Sequence, residues 1–267
     1  MKTLLLSLYV LTICLPAIAQ HRLVKLWESD SITLKGPESA LFDPKSNSLY
    51  VSSMGEGSVV IMGTDGRIIT KEWLTGLNSN MGSALFKGLF YTTAPSGIAV
   101  VDVEKAAVIK QILIDSIGRL NDVAVDSRGV VYVSDTRTGK VYRVENEKAI
   151  LYLENMSGAN GLLTVNDDLY VITTNTLYKV NANKKVTKVA DGFENGLDGI
   201  VMVSPNEFIV SNYTGILYYV KADGSKELLL DTRADRLMAN DISYDSKTKT
   251  LYVPVFNRNR IIAYQVK

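Results

Sequence analysis

A repeat of about forty residues runs along the whole chain and limits its fold more than any other feature. Six oxygen-bearing side chains open the same short pattern: Glu38, Asn80, Asn121, Asn160, Asp198 and Asn240. The steps between them are 42, 41, 39, 38 and 42 residues. Each is followed 10 to 12 residues later by Tyr50, Phe90, Tyr132, Tyr170, Phe208 or Tyr252, inside a β-rich run. A period near forty built of short strands and turns predicts an all-β chain folded as a β-propeller, with one four-stranded blade per repeat. Pseudo-rotation then carries the six leading residues to equivalent points around one axis.

The strand signals begin at Leu23 and are punctuated by turns with a local cause. Asp65-Gly66 and Asp223-Gly224 read as two-residue hairpin turns, because glycine tolerates the positive φ they need. No stretch of ten residues shows a helical period. The strings Asn121-Asp122-Val123-Ala124-Val125-Asp126 and Asn240-Asp241-Ile242-Ser243-Tyr244-Asp245 are near copies three repeats apart, and Asp43 matches their final Asp. The last repeat ends after its third strand. Leu23 to Trp27, ahead of the first repeat, is predicted to supply the fourth, giving a six-bladed propeller closed by an N-terminal strand that completes the last blade.

Residues 1–19 read as a leader: Lys2, an apolar run from Leu4 to Leu15, and Ala17-Ile18-Ala19 ahead of Gln20. The apolar run is short for a membrane span. The expected mature chain is therefore residues 20–267, a single domain, periplasmic or secreted. A lipid anchor at Cys14 is the lesser alternative, since Ile13 is bulky where a small residue is expected. Cys14 is the one cysteine, so the mature chain has no disulfide and depends on burial for stability. Without Lys2 the chain has equal numbers of basic and acidic residues, 28 each. That balance argues against nucleic acid or an anionic membrane as main partner.

Two readings of the polar ring stand. Asn and Asp are common where loops meet strands, because they bond nearby backbone, and a repeat copies its junctions. Glu38, however, is poor at turning chain, and the two acids fall only in the first and fifth repeats. Two carboxylates and four amides on one axis form an oxygen-only set suited to a hard dication, Ca²⁺ above all. The mature chain has no Cys and one His, His21, so zinc, copper and haem sites are disfavoured, as is Ser-His-Asp catalysis.

Four motifs in order, Gly36-Pro37-Glu38, Arg119-Leu120-Asn121-Asp122, Ala159-Asn160-Gly161-Leu162 and Leu197-Asp198-Gly199-Ile200, resemble the calcium-dependent lactonases of the regucalcin (SMP-30) and gluconolactonase family, and more distantly the paraoxonases. The resemblance implies a six-bladed propeller with a divalent cation, usually calcium, on its axis. It implies Glu38, Asn160 and Asp198 as metal ligands, Asp198 also as the catalytic base, and Arg119 and Asn121 as substrate-binding residues. Asn80, Asn240 and Asp241 are expected to line the pocket. The first motif departs from the family in having Ala40-Leu41 before Phe42, and the paraoxonase histidines are absent. The implied activity is hydrolysis of a small lactone or ester by a metal-polarised carbonyl and an activated water. The competing readings are a non-catalytic binding or sensing propeller with a structural cation, and a metal-free synthase of the strictosidine type, for which Glu194 is the nearest candidate. An open pocket with Arg119 on its wall favours the enzyme; one plugged by Met81 or Tyr213 favours the module.

Overall fold

The computed structural model describes residues 21–267. The expected leader, 1–19, lies outside the described residues. Six four-stranded antiparallel sheets carry the chain, and among the described residues the only helical segments are the single turns Met54–Glu56 and Phe256–Arg258. No described helix is long and apolar enough to cross a membrane.

The innermost strands of blades one to six are Pro37–Asp43, Ser83–Phe86, Leu120–Val125, Leu162–Val165, Leu197–Ser204 and Ser243–Asp245. Each blade then meanders outward, and its outermost strand is the most exposed. The sixth blade takes its outer strand from the other end of the chain: Leu23–Glu28 runs antiparallel to Arg260–Val266, pairing Leu23 with Val266. Mutual backbone bonds between Arg22 and Lys267, 2.9 and 3.0 Å, extend that seam. The closure predicted from the truncated last repeat is present.

The repeating aromatics explain why the sheets stack. Tyr50, Phe90, Tyr132, Tyr170, Phe208 and Tyr252 are all buried, on the second strand of their blades. Rings of neighbouring blades meet, Tyr50 with Phe90 at 5.5 Å and Tyr170 with Phe208 at 4.8 Å between centroids. Six apolar clusters, one between each pair of adjacent blades, replace a single core. A blade is hydrophobic on both faces and must be sandwiched, so the sheets close into a ring.

The turn chemistry also follows from the residues. Gly66 and Gly224 adopt φ of 84° and 82°. Asp43, Asp126 and Asp245 each accept backbone N–H groups two to four residues ahead, from Lys45, Arg128, Val130 and Lys247, all at 2.9 Å. The repeated Asp is a turn former.

Candidate metal centre and active site

The innermost strands do not all begin alike. In blades one, three and five, two residues bulge opposite a single serine of the second strand: Glu38-Ser39 opposite Ser52, Asn121-Asp122 opposite Ser134, and Asp198-Gly199 opposite Ser211. A bulge frees a backbone N–H and re-aims the side chains it carries. The serine hydroxyl accepts that freed N–H, from Ser39 at 2.8 Å, Asp122 at 2.9 Å and Gly199 at 2.8 Å. In blades two, four and six the register between first and second strands is regular, and Asn80, Asn160 and Asn240 stand just ahead of the strand.

The residue after each of those serines clamps the loop that leads into the bulge. Ser53 Oγ accepts from Lys35 N–H at 2.9 Å. Asp135 accepts from Gly118 and Arg119 N–H at 2.7 and 2.9 Å. Asn212 donates its amide N–H to the carbonyls of Glu194 and Asn195 at 2.9 and 3.0 Å. The backbone of Arg119 is thus fixed by a fully buried aspartate. The triplets Val51-Ser52-Ser53, Val133-Ser134-Asp135 and Val210-Ser211-Asn212 are the sequence signal for this device, and the repeat alone did not reveal it.

These elements bring Glu38, Arg119, Asn121, Asn160, Asp198 and Asn240 together around a cavity of about 290 Å³ at one end of the axis. Met54, Thr136, Tyr213, Met238 and Phe256 complete its wall. Met54, Thr136, Tyr213 and Phe256 follow the second strands of their blades, 15 or 16 residues after the leading residue. Two expected lining residues lie elsewhere. Asn80 is fully buried, donates to Ser58 O at 2.7 Å and does not reach this cavity. Asp241 points to a second cavity of about 230 Å³ at the opposite end, which it lines with Asp122. Met81 is buried away from the mouth. Glu194 is an exposed partner of Arg233 at 2.7 Å. His21 stacks on Tyr219 at 3.6 Å, bonds Glu227 and is no part of this cavity's wall.

Burial, then the charges of Asp198 and Asp122, push the Glu38 carboxyl well above its ordinary range, with Arg119 opposing. Burial raises Asp198 to about 7 against the pull of its amide donors and Arg119. Asn160 Nδ2 donates to Asp198 Oδ1 at 2.9 Å, and Asn240 Nδ2 to Oδ2 at 3.0 Å. Asp122 is raised to about 7 by burial despite N–H bonds from Leu162 and Val123 at 2.6 and 2.7 Å. Burial, with Asp122, Glu38 and Asp198, raises Asp241 well above its ordinary value. Four carboxyls therefore crowd the axis where the sequence repeat pointed to two. Asp122 and Asp241 follow a leading residue by one position and so fell outside the repeat.

Such crowding is costly unless positive charge offsets it. Glu38 Oε2 and Asn240 Oδ1 are buried acceptors without any partner. Asn160 gives its N–H groups to Asp198 and to Leu197 O at 3.2 Å, which leaves its Oδ1 free to accept. An oxygen set rich in acceptors and short of donors fits a hard dication. Among the described residues no three His, Cys, Asp or Glu side chains form one ligating group; amide oxygens make up the rest of this set. The glycine of two motifs has a steric reason here. A Cβ on Gly161 would stand 2.5 Å from Asp198 O, and one on Gly199 2.7 Å from Asp241 Oδ1.

Comparison with known proteins bears on family and fold. The profile described as SMP-30/Gluconolactonase/LRE-like region matches residues 36–188. No curated protein sequence matches the chain. Among solved structures, regucalcin, a calcium-binding protein from Agrobacterium tumefaciens strain C58, superposes with a TM-score of 0.70 at 15% identity, over 90% of this chain and 93% of that one. A gluconolactonase from Xanthomonas campestris gives 0.69 at 15% identity, over 93% and 91%. Virginiamycin B lyase from Staphylococcus aureus gives 0.70 at 11% identity, over 92% and 99%. At these identities the structural likeness is one of fold.

Proposed function

The chain belongs to the SMP-30/gluconolactonase/LRE-like family, and from that membership we propose that it is an exported, calcium-dependent hydrolase of a small lactone or ester. The observation that carries the reading is the open cavity over Glu38 and Asp198 with Arg119 on its wall. Neither Met81 nor Tyr213 plugs it, as a purely structural ion would allow. The leader-like segment 1–19 supports export to the periplasm or the medium.

Glu38, Asn160 and Asp198 are the proposed ligands, with Asn240 Oδ1 as a further acceptor in reach of the same space. When bound there, calcium supplies Lewis-acid polarisation of the carbonyl and charge for the oxyanion. The side chains supply the rest. Asn160 and Asn240 hold the Asp198 carboxylate in one orientation through its two oxygens. Each oxygen keeps a lone pair, so Asp198 can take the proton of the attacking water on a carboxylate oxygen and return it to the leaving alkoxide. Arg119 makes no ion pair among the described residues. Its guanidinium is free to orient the substrate and to hold the carboxylate that hydrolysis creates. Asn121 stands beside it as a second polar contact.

The test is hydrolysis of a lactone panel, gluconolactone included, by mature protein stripped of metal and then given Ca²⁺. Loss of activity on chelation and recovery with calcium is the expected result. Calcium that raises the melting temperature but restores no turnover on any lactone or ester would leave a binding propeller with a structural ion instead.

A further inference from the structure

We infer that the molecule taken by this site carries an apolar arm, alkyl or aryl, beside its lactone or ester group, and is not polyhydroxylated; the inference rests on the hydrolase reading above. Four of the residues around the mouth are apolar or aromatic: Met54, Tyr213, Met238 and Phe256. They are only partly covered, Tyr213 remaining 48% exposed. Large apolar side chains left at the rim of a polar well mark a contact surface.

Two glycines hold that rim in place. Gly36, at φ +60°, lies under the Phe256 ring, where a Cβ would come within 2.9 Å of Cε2. It also ties the two helical turns together: its carbonyl accepts Met54 N–H at 3.2 Å, and its own N–H donates to Asn259 Oδ1 at 2.9 Å. Gly196, at φ +106°, lies under Tyr213, where a Cβ would come within 2.5 Å of Cε1. Both rings are therefore seated against backbone.

The polar side of the well has little left to offer hydroxyl groups. Thr136 Oγ1 donates to Ala159 O at 2.8 Å. Asn160 spends its amide N–H groups on Asp198 and Leu197 O, and Asn240 spends one of its two on Asp198. Arg119, Asn121, one N–H of Asn240 and the hydroxyl of Tyr213 remain. A sugar lactone brings several hydroxyls, each costly to bury unpaired, and so short a polar set, with Arg119 already given to the ester group, falls short of them. An alkyl or aryl arm instead gains by leaving water for Met54, Met238 and the two rings.

The experiment uses calcium-loaded mature protein and a series from γ-butyrolactone to γ-decanolactone, with gluconolactone as the polyol. The expected kcat/KM rises about three- to fourfold per added methylene over the first few carbons. The decanolactone-to-butyrolactone ratio should fall about tenfold in Phe256→Ala and in Tyr213→Ala, through KM and not kcat. A flat chain-length series, or a preference for gluconolactone, would overturn the apolar arm and leave the hydrolase intact. Thermal protection by 4-hydroxydecanoate against gluconate gives a second readout that needs no turnover. Protection by the alkyl acid alone, with no lactone hydrolysed, would remove the hydrolase reading and keep the ligand class. Protection by gluconate alone, or by neither acid, would overturn the ligand class.

Discussion

Blades one, three and five differ from blades two, four and six at the axis, although all six descend from one repeat. The odd blades carry bulges, and on those bulges sit both ring acids, Glu38 and Asp198, together with Asn121 and the loop of Arg119. The even blades enter their first strands without a bulge and contribute amides to the cavity, Asn160 and Asn240, with Asp241 turned to its opposite end. Their backbone braces the odd blades: Gly82 N–H donates to Asn121 O at 2.7 Å, Gly161 to Asp198 O at 2.9 Å, and Asp241 to Glu38 O at 3.0 Å. Each acceptor is an odd-blade leading residue. The odd blades present the ring acids, and the even blades fix the backbone that presents them while adding amide groups to the cavity. Repetition supplied the scaffold, and alternation turned it into a site.

That division can be broken by experiment. The largest effect is expected for Asp198→Asn, which should lower kcat/KM by about 10²- to 10⁴-fold with the fold intact by circular dichroism. Asn80→Ala, in the even set, should leave most of the turnover; an equal loss from both would erase the distinction. Asp135→Ala removes the acceptor for Gly118 and Arg119 N–H and should cost about 1–3 kcal/mol in denaturant unfolding, with roughly tenfold in kcat/KM as Arg119 loses its place. Its even counterpart Thr93, which accepts from Met81 N–H at 2.9 Å and donates to Ser79 O at 2.9 Å, gives the control. Thr93→Val should cost comparable stability and little activity. Steady-state kinetics beside unfolding curves separates the two.

A smaller effect concerns pH in the metal-free protein. Burial raises the folded-state pKa of Asp198 to about 7, and that of Glu38 well above its ordinary value. The folded state therefore binds these protons more tightly than the unfolded one. The stability they lend is complete below about 4 and is lost as pH rises toward 7. Melting temperature without metal should fall between pH 5 and 8, and calcium should restore more of it at pH 8, since its ligands must be deprotonated. A calcium shift equal at both pH values would argue against these carboxylates as ligands. The least effect is expected for Asp43→Ala. It loses turn bonds to Lys45 and Ser46 N–H, 2.9 and 3.2 Å, and should cost about 0.5–1.5 kcal/mol with no change in turnover.

How far the sequence reads correctly depends on whether a feature repeats. The six blades, the buried aromatics and the N-terminal closing strand are legible because each blade solves the same packing problem with residues at the same spacing. The convergence of Glu38, Asn160, Asp198 and Asn240 is legible for that reason too. What escapes the period is what the bulges do. They bring Asp122, one residue past its leading Asn, onto the axis, and they depend on Ser134 and Ser211 in a neighbouring strand. Asn80 shares the spacing but is spent on Ser58 O, a contact made by the blade before it. The rim residues Met54, Tyr213, Met238 and Phe256 lie in the connections between strands, whose chemistry is free to differ from blade to blade.

The seam between Leu23–Glu28 and Arg260–Val266 has a kinetic consequence. The first strand of the described fold is the last to find its partner, because the other strands of all six blades lie between the two in sequence. Ring closure thus joins residues some 240 positions apart, and contacts of such high sequence separation are slow to form. Until it happens, the edge of Arg260–Val266 and the flank of the first blade stand open to pairing with other chains. A protein built this way gains from being kept unfolded until both strands of the seam are available.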